Sequence, residues 1–192
     1  MMGMTDGPAP LTDARTRVLD AAEAIVLERG VPALTLDAAA KLAGVSKGGL
    51  LYHFGTKEAL LRGLVGRIEV EMTQDWQGAL DRTARGPAHA SRAVLTWAFH
   101  CPPELEARLM RRGAVLLAAH HHDPRMLDPV RALHTSVRSA VAADGLAPGA
   151  GLAIVAACDG LFAAQLFAIW RPEPDQAAAI EAALVRLLEP AP

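Results

Sequence analysis

The chain has 192 residues, with 19 Lys and Arg against 21 Asp and Glu, 52% hydrophobic residues, 4% aromatic residues and two cysteines. A chain of this length and hydrophobic content buries a core without disulfides or metal, which excludes an intrinsically disordered protein and a disulfide scaffold. Alanine dominates the apolar residues, and this composition predicts an all-α fold. The first fifteen residues contain neither a basic nor a continuous apolar segment, so we expect no secretory signal. We therefore expect a cytoplasmic protein with free thiols at Cys101 and Cys158.

Helical periodicity interrupted by Gly and Pro predicts nine helices and no strand. A loose arm over residues 1–11 precedes the first helix, which begins with Thr12 as its N-cap and ends at Gly30. Spacings of three and four predict inward-facing residues in the first two helices: Val18, Leu19, Ala22, Ile25 and Val26, then Leu36, Ala39 and Leu42. The next three helices begin at good N-cap residues, which are Thr35, Ser46 and Thr56.

The stretch from Ala150 to Trp170 contains one charged residue, Asp159. A central Asp followed by Gly160 disfavours a membrane span, so this stretch predicts a buried helix that is apolar on all sides. One side can face the chain's own core and the other a second copy, which predicts a homodimer. We expect Asp159 to be buried and to need an arginine partner or a role toward a ligand pocket.

Residues 35–57 have the form of a helix-turn-helix, in which two short helices are joined by a tight turn and the second enters the DNA major groove. All lysines of the chain, Lys41, Lys47 and Lys57, fall in this segment, and no acidic residue occurs from Ala38 to Lys57. Their ammonium groups can neutralise phosphates, although Lys41 is equally explained as a solvated helix residue.

The second short helix carries Gly48 and Gly49, which let its backbone approach DNA closely at a cost in helix propensity. Tyr52 offers a hydroxyl to phosphate with its ring packed on the protein, and the helix N-terminus at Thr56 and Lys57 faces the backbone anion.

At this point the sequence resembles the tetracycline-repressor family of bacterial transcription regulators. The resemblance rests on Arg17–Ala22 with Gly30, on Thr35-Leu36, on Leu42–Gly48, and on Leu51–Phe54 followed by Lys57–Leu60. It implies phosphate contacts from Thr35, Tyr52 and Lys57, and groove contacts from Ser46, Lys47, Gly48, Gly49 and His53. It also implies that Leu51 and Phe54 belong to the core. His53 is alternatively explained by packing against the next helix.

This combination predicts a DNA-binding domain over residues 12–62 and a helical ligand-binding and dimerisation domain over residues 63–192. The expected partners are a palindromic operator in double-stranded DNA, a second copy of the chain and a small hydrophobic or weakly polar effector, with no membrane. The dimer interface is expected at residues 150–170 and at the final helix, 174–188, through Ala177, Ile180, Ala183, Leu184 and Leu187. Candidate pocket residues, each equally explained as core, are Trp76, Trp97, Phe99, His100, Met110, Met126, His134, Phe162 and Gln165.

Three alternatives stay open on the sequence alone. The first alternative is a ligand-independent DNA-binding protein of the same fold. The second is a metal-responsive regulator and the third a metal enzyme, both of which would use residues His120–Asp123. Three successive helical residues cannot converge on one ion, so a metal needs His120 with Asp123 and a further ligand, for instance His100 or His134. No enzyme motif is present, and we expect neither an enzyme nor a cofactor or metal.

Overall fold

The computed structural model of the chain describes residues 13–100 and 103–189. These residues contain nine α-helices, three short 3-10 helices and no strand, so the predicted all-α fold and helix count are confirmed for them. Contacts divide the chain into two compact units, one up to Leu64 and the other from Val65. The helices are α1 (Ala14–Arg29), α2 (Leu36–Ala43), α3 (Lys47–His53), α4 (Lys57–Arg82), α5 (His89–Phe99), α6 (Pro103–His122), α7 (Asp128–Ala142), α8 (Ala150–Leu166) and α9 (Pro174–Val185).

The predicted arm over residues 1–11, Thr12 itself and the thiol of Cys101 lie outside the described residues. The N-cap position of α1 belongs to Asp13, so the prediction of Thr12 as N-cap is wrong by one residue. Helix α1 ends as predicted at Gly30, whose φ of 77° suits a residue without a Cβ. All five residues expected in its core are buried: Val18, Leu19, Ala22, Ile25 and Val26.

The inward faces of α2 and α3 differ from the predicted ones. Leu42 is 55% exposed and Leu51 is 43% exposed, so their assignment to the core is wrong. Helix α2 instead buries Ala39, Ala40 and Ala43, and these small side chains let it lie close to α1. The prediction took the leucines as the inward-facing residues, which shifted the expected buried face of each short helix by about one residue.

In α3 the core position belongs to Leu50, one residue before the predicted Leu51. Phe54, which was correctly expected in the core, follows four residues later on the same side. A Cβ on Gly63 of α4 would come within 2.6 Å of the Phe54 ring, so this glycine makes room for the aromatic side chain. Leu50 and Phe54 thereby fix the orientation of α3 within the first unit.

The second unit packs α8 against α5 and α7. The Asp144 carboxylate accepts hydrogen bonds from the backbone N–H groups of Ala90 and Ser91, at 3.1 and 2.6 Å, and so caps the start of α5. Gly151 of α8 lies against the side chain of Val141, where an added Cβ would collide. The close approach of α7 and α8 therefore depends on a residue without a side chain.

Helix α8 buries one side of its surface and exposes the other. Its buried residues are Ala150, Gly151, Ile154, Val155 and Cys158. Asp159 is exposed, so the expectation that it is buried is wrong for the single chain. The helix ends at Leu166, and two residues later Ala168 adopts a left-handed conformation with a φ of 52°. Ile169 therefore lies outside the helix, and its side chain is 77% exposed. Among the described residues no helix is both long and apolar enough to cross a membrane.

The final helix α9 begins with a capping box formed by Glu173 and Gln176 and continues into a 3-10 turn at Arg186–Leu188. Leu184 is buried within its own chain, so its assignment to a face directed at a second copy is wrong. Ala183, by contrast, is exposed.

Candidate nucleic-acid interface and ligand cavities

The helix-turn-helix is set by three side-chain caps in the first unit. The Thr35 hydroxyl accepts from the N–H of Ala38 at 3.0 Å, and the Ser46 hydroxyl accepts from the N–H of Gly49 at 3.1 Å. The Thr56 hydroxyl likewise accepts from the N–H of Ala59 at 3.0 Å. All three predicted N-caps are confirmed. The Ser46 cap fixes the start of α3, and the Thr56 cap fixes the start of α4 shortly after α3 ends.

The turn between α2 and α3 rests on Gly44, which adopts a left-handed conformation with φ 64° and ψ 37°. The N–H of Val45 donates to the carbonyl of Ala40 at 3.1 Å, which closes the end of α2. The chain therefore turns within three residues, Gly44, Val45 and Ser46, and α3 starts at Lys47.

Most of the predicted DNA-contacting residues have exposed side chains or backbone. Tyr52 is 86% exposed, and its ring meets only the edge of the His53 ring, at 5.1 Å between centroids. The expectation that the Tyr52 ring packs on the protein is therefore wrong. A Cβ on Gly48 would have no atom within 4 Å, so the backbone at this point of α3 is open to a large partner. Thr35, Ser46 and Lys47 are also exposed, while Gly49, His53 and Lys57 are half-buried.

The basic side chains of this surface differ in their engagement. The Lys47 ammonium lies 2.8 Å from the Asp37 carboxylate, and both side chains are mostly exposed. The Lys57 ammonium donates to the carbonyl of Pro32 at 3.4 Å, and Lys41 is exposed. An exposed ion pair in water is worth at most about 1 kcal/mol, so a phosphate can displace Asp37 from Lys47. The sequence pattern did not reveal Asp37, because it precedes the stretch without acidic residues.

Two neighbouring cavities lie in the second unit. The first, of about 140 Å³, lies between α5, α7 and α8, with Met72 of α4 and Leu109 of α6 completing the wall. The second, of about 280 Å³, is bounded by α5, α6, α8 and the segment around Arg171. Both cavities are lined by Trp97, Ala98, Leu109, Cys158 and Phe162.

Six of the nine predicted pocket residues line these cavities. They are Trp97 and Phe162 in both, His134 in the first, and Phe99, Met110 and Gln165 in the second. Trp76 and Met126 are buried away from the linings, and Trp76 supports the cavity indirectly, with its ring centroid 6.1 Å from that of Trp97. His100 is on the surface, where its Nε2 lies 2.7 Å from the Glu181 carboxylate. These three residues are not lining residues.

The polar groups of the cavities are few. The Trp97 indole N–H is buried and has no hydrogen-bond acceptor among the described residues. Burial, with a smaller effect of the Asp159 charge, raises the pKa of the Cys158 thiol from 9.0 to about 12. In the second cavity the Glu106 carboxylate is paired with Arg171 at 2.8 Å. The sequence did not indicate that Cys158 and Asp159 both line one cavity, because the side chains of adjacent residues in a helix usually point in different directions.

Across residues 13–100 and 103–189, no group of three or more His, Cys, Asp and Glu side chains is arranged to hold a metal ion. His120, His121 and His122 are exposed at the end of α6. The Asp123 carboxylate accepts from the backbone N–H of Arg125 at 3.0 Å and caps the 3-10 turn that follows.

Two family models match the chain. Residues 18–64 match the family described as bacterial regulatory proteins of the tetR family, and residues 88–189 match the tetracyclin repressor-like C-terminal domain. The second match alone covers more than half of the chain. The chain therefore belongs to the tetracycline-repressor family of bacterial transcription regulators, and the resemblance seen in the sequence is confirmed.

Curated relatives carry the similarity over part of the chain. The HTH-type transcriptional regulator TtgR of Pseudomonas putida is 27% identical over 129 residues, which are 67% of this chain and 59% of TtgR. The HTH-type transcriptional repressor BepR of Brucella suis is 39% identical over 59 residues, 31% of this chain and 28% of BepR. The chain thus matches about three fifths of TtgR and less than a third of BepR.

Solved structures share the fold over nearly the whole chain. The protein SCO7518 from Streptomyces coelicolor A3(2) superposes with a TM-score of 0.68 at 23% identity, covering 92% of this chain and 99% of that one. The multidrug binding protein EbrR, in complex with malachite green, superposes with a TM-score of 0.66 at 22% identity, covering 93% of this chain and 99% of that one.

Proposed function

We propose that this protein is a homodimeric transcriptional repressor that binds a near-palindromic operator in double-stranded DNA. Residues 12–62 are the DNA-binding domain and residues 63–192 the ligand-binding and dimerisation domain. The observation that carries the proposal is α3 itself, a capped helix with an open backbone at Gly48 and exposed polar side chains at Ser46, Lys47 and Tyr52. Such a helix fits the major groove, and the family of the chain supports this role.

The contacts divide into two kinds. Thr35, Tyr52 and Lys57 contact phosphates, which sets the position of the protein on the duplex. Ser46, Lys47, Gly48, Gly49 and His53 face the groove and select the sequence. In the cytoplasm, where bacterial DNA lies, each protomer binds one half-site.

Release follows from binding of a small hydrophobic or weakly polar effector in the second unit. The cavities are lined mainly by apolar side chains, as effector sites usually are. That EbrR shares the fold and was crystallised with malachite green supports a ligand site in this part of the chain. Helix α4 carries Lys57 at its start and Met72 of the cavity wall four turns later. An effector that binds better to the conformation with low DNA affinity shifts the population toward it.

The test begins with footprinting upstream of the protein's own gene to obtain an operator. Lys57→Ala should weaken binding to operator and random DNA alike and reduce the salt dependence by about one counterion per half-site. Lys47→Ala should change the preference among operator sequences. Arg138→Ala, which removes an exposed charge from α7, is the matched control and should bind like wild type. Wild-type binding by both lysine variants, with their fold intact by circular dichroism, would overturn the proposal.

A further inference from the structure

The lining of the first cavity contains an acidic side chain and no Lys or Arg. Its ionisable groups are His134, Cys158 and Asp159. The high pKa of Cys158 keeps that thiol neutral, so Asp159 supplies the charge of the wall at neutral pH. The remaining lining is apolar or aromatic, which excludes a site built for an anion.

The carboxylate of Asp159 can accept a cationic partner. Its carboxylate forms no hydrogen bond or ion pair with any other described residue. It lies on α8 between the buried face, which includes Val155 and Cys158, and the exposed face, which includes Ala156 and Gly160. Such an edge position gives a carboxylate access to the cavity while it keeps its hydration when the cavity is empty.

The aromatic side chains that line the first cavity suit an aromatic or cationic ligand. Trp97 and Phe162 line both cavities, and a ring face within about 6 Å of a cation attracts it, most strongly for Trp. In the second cavity the corresponding acid, Glu106, is neutralised by Arg171, so the unpaired negative charge belongs to the first. Of the two cavities, only the first therefore combines an unpaired carboxylate with the aromatic side chains.

We propose that the effector is an amphiphilic organic cation, whose ammonium or delocalised positive charge lies beside Asp159 and whose apolar part packs against Trp97 and Phe162. This inference rests on the proposed function and narrows its effector class. A neutral hydrophobic ligand gains no charge interaction from Asp159, whereas a cation gains a charge-assisted contact with its carboxylate.

A matched pair of probes separates charge from shape. (2-Naphthylmethyl)trimethylammonium and its neutral isostere 2-neopentylnaphthalene are titrated by calorimetry into the intact protein, each also with Asp159→Asn and Asp81→Asn. Asp81 is exposed at the end of α4 and outside both cavities, so its variant makes the same change of net charge elsewhere in the unit. Wild type should bind the cation about tenfold more tightly than the isostere. Asp159→Asn should abolish most of that preference, and Asp81→Asn should keep it.

The outcomes are distinct. Equal affinity of wild type for both probes, binding of neither, or an unchanged preference in Asp159→Asn overturns the inference. Loss of the dimer in Asp159→Asn, seen by sedimentation, also overturns it, because the carboxylate then serves the interface. Gel shifts with the footprinted operator keep the two proposals apart: a protein that binds the operator and is released by the neutral isostere alone retains the proposed function without a cationic effector. A protein without operator binding loses the proposed function itself.

Discussion

Arg112 of α6 lies in the second unit with 3% of its surface exposed, between two carboxylates of α4. Its Nε donates to Glu71 at 2.8 Å and its Nη1 donates to Asp75 at 2.6 Å. Glu71 and Asp75 are four residues apart, so both reach the same side of α4. Burying a charged guanidinium costs free energy unless oppositely charged partners are held beside it. The two ion pairs of Arg112 therefore fix the position of α6 relative to α4.

Arg112→Met is expected to lower the free energy of unfolding by about 3 kcal/mol, because it removes the buried cation that pairs with both Glu71 and Asp75. Urea denaturation at fixed protein concentration measures the change. Arg108→Ala is the control, since its half-exposed side chain reaches Asp75 only at 3.5 Å and its loss should cost less than about 1 kcal/mol. Equal effects of the two variants would show that the buried cluster does not secure α6.

Cys158 should be inert to alkylation in the folded protein. With its pKa raised by burial from 9.0 to about 12, the thiolate fraction near pH 8 falls about a thousandfold relative to the unfolded chain. Iodoacetamide labelling in a Cys101→Ser background, with and without denaturant, measures this ratio. Because the unfolded thiol loses its proton first, the contribution of Cys158 to stability is full below about pH 9 and declines between pH 9 and 12. Labelling at the same rate in both states would contradict the burial of this thiol.

At the scale of the element, α3 is a compromise between helix stability and contact with DNA. Gly48→Ala should raise the free energy of unfolding by about 0.5–1 kcal/mol, since alanine favours the helix and its Cβ meets nothing within 4 Å. The same methyl group should weaken operator binding, because it projects from the backbone that approaches the groove. Circular dichroism melts and gel shifts measure the two effects.

Gly66→Ala in α4 provides the matched control for this variant. It also lies inside a helix with no atom within 4 Å of the added Cβ, so it should bring the same gain in stability. Its operator affinity should stay that of wild type. If Gly48→Ala binds the operator as tightly as Gly66→Ala, the backbone of α3 does not approach DNA at this residue.

The element scale also shows what the sequence could predict. Helix ends followed from local chemistry, because a hydroxyl such as that of Ser46 or Thr56 and a glycine such as Gly30 act within a few residues of their own position. Which side of a short helix faces inward depended on neighbours distant in sequence. Alanines bury as readily as leucines where helices come close, so Leu42 and Leu51 were misassigned.

The candidate site divides in the same way. The proposed DNA contacts of Gly48, Lys47 and Tyr52 come from a motif whose members are near each other in the chain. The cavity was found only in part, because its wall draws on α4, α5, α6, α7 and α8, and a large side chain such as Trp76 looks the same in sequence whether it lines a cavity or supports one. The sequence alone could not show that Asp37 pairs with Lys47 or that Asp159 lies at the edge of the buried face of α8, because both depend on how the chain folds.

At the scale of the whole molecule, the second unit leaves apolar surface that a single chain does not cover. The exposed side of α8 carries Leu152, Ala153, Ala156 and Gly160, and the segment after it exposes Phe167, Ile169 and Trp170. Helix α9 exposes Ala178, Ala179, Ala182 and Ala183. Small residues on both helices permit close helix approach, which suits pairing with a second copy of the same surface.

Ala156→Glu and Ala183→Glu are therefore each expected to dissociate the dimer. Both positions are exposed in the single chain, so the variants should keep their helical content, whereas a dimer interface of about 2,000 Å² tolerates a buried unpaired carboxylate poorly. Sedimentation at micromolar concentration measures the oligomeric state. Operator affinity should fall steeply in both variants, because two half-sites are bound jointly by the dimer and singly by a monomer.

Ala132→Glu on the exposed side of α7 is the control for charge and helix context, and it should sediment and bind DNA like wild type. Leu184→Arg is a poor substitute for Ala183→Glu, since Leu184 is buried in its own chain and its replacement would disturb the fold first. A wild-type protein that sediments as a 20.2 kDa monomer and still binds a palindromic operator tightly would rule out the α8 and α9 surface as the dimer interface. Dimeric Ala156→Glu and Ala183→Glu variants would place the second copy on another face of the unit.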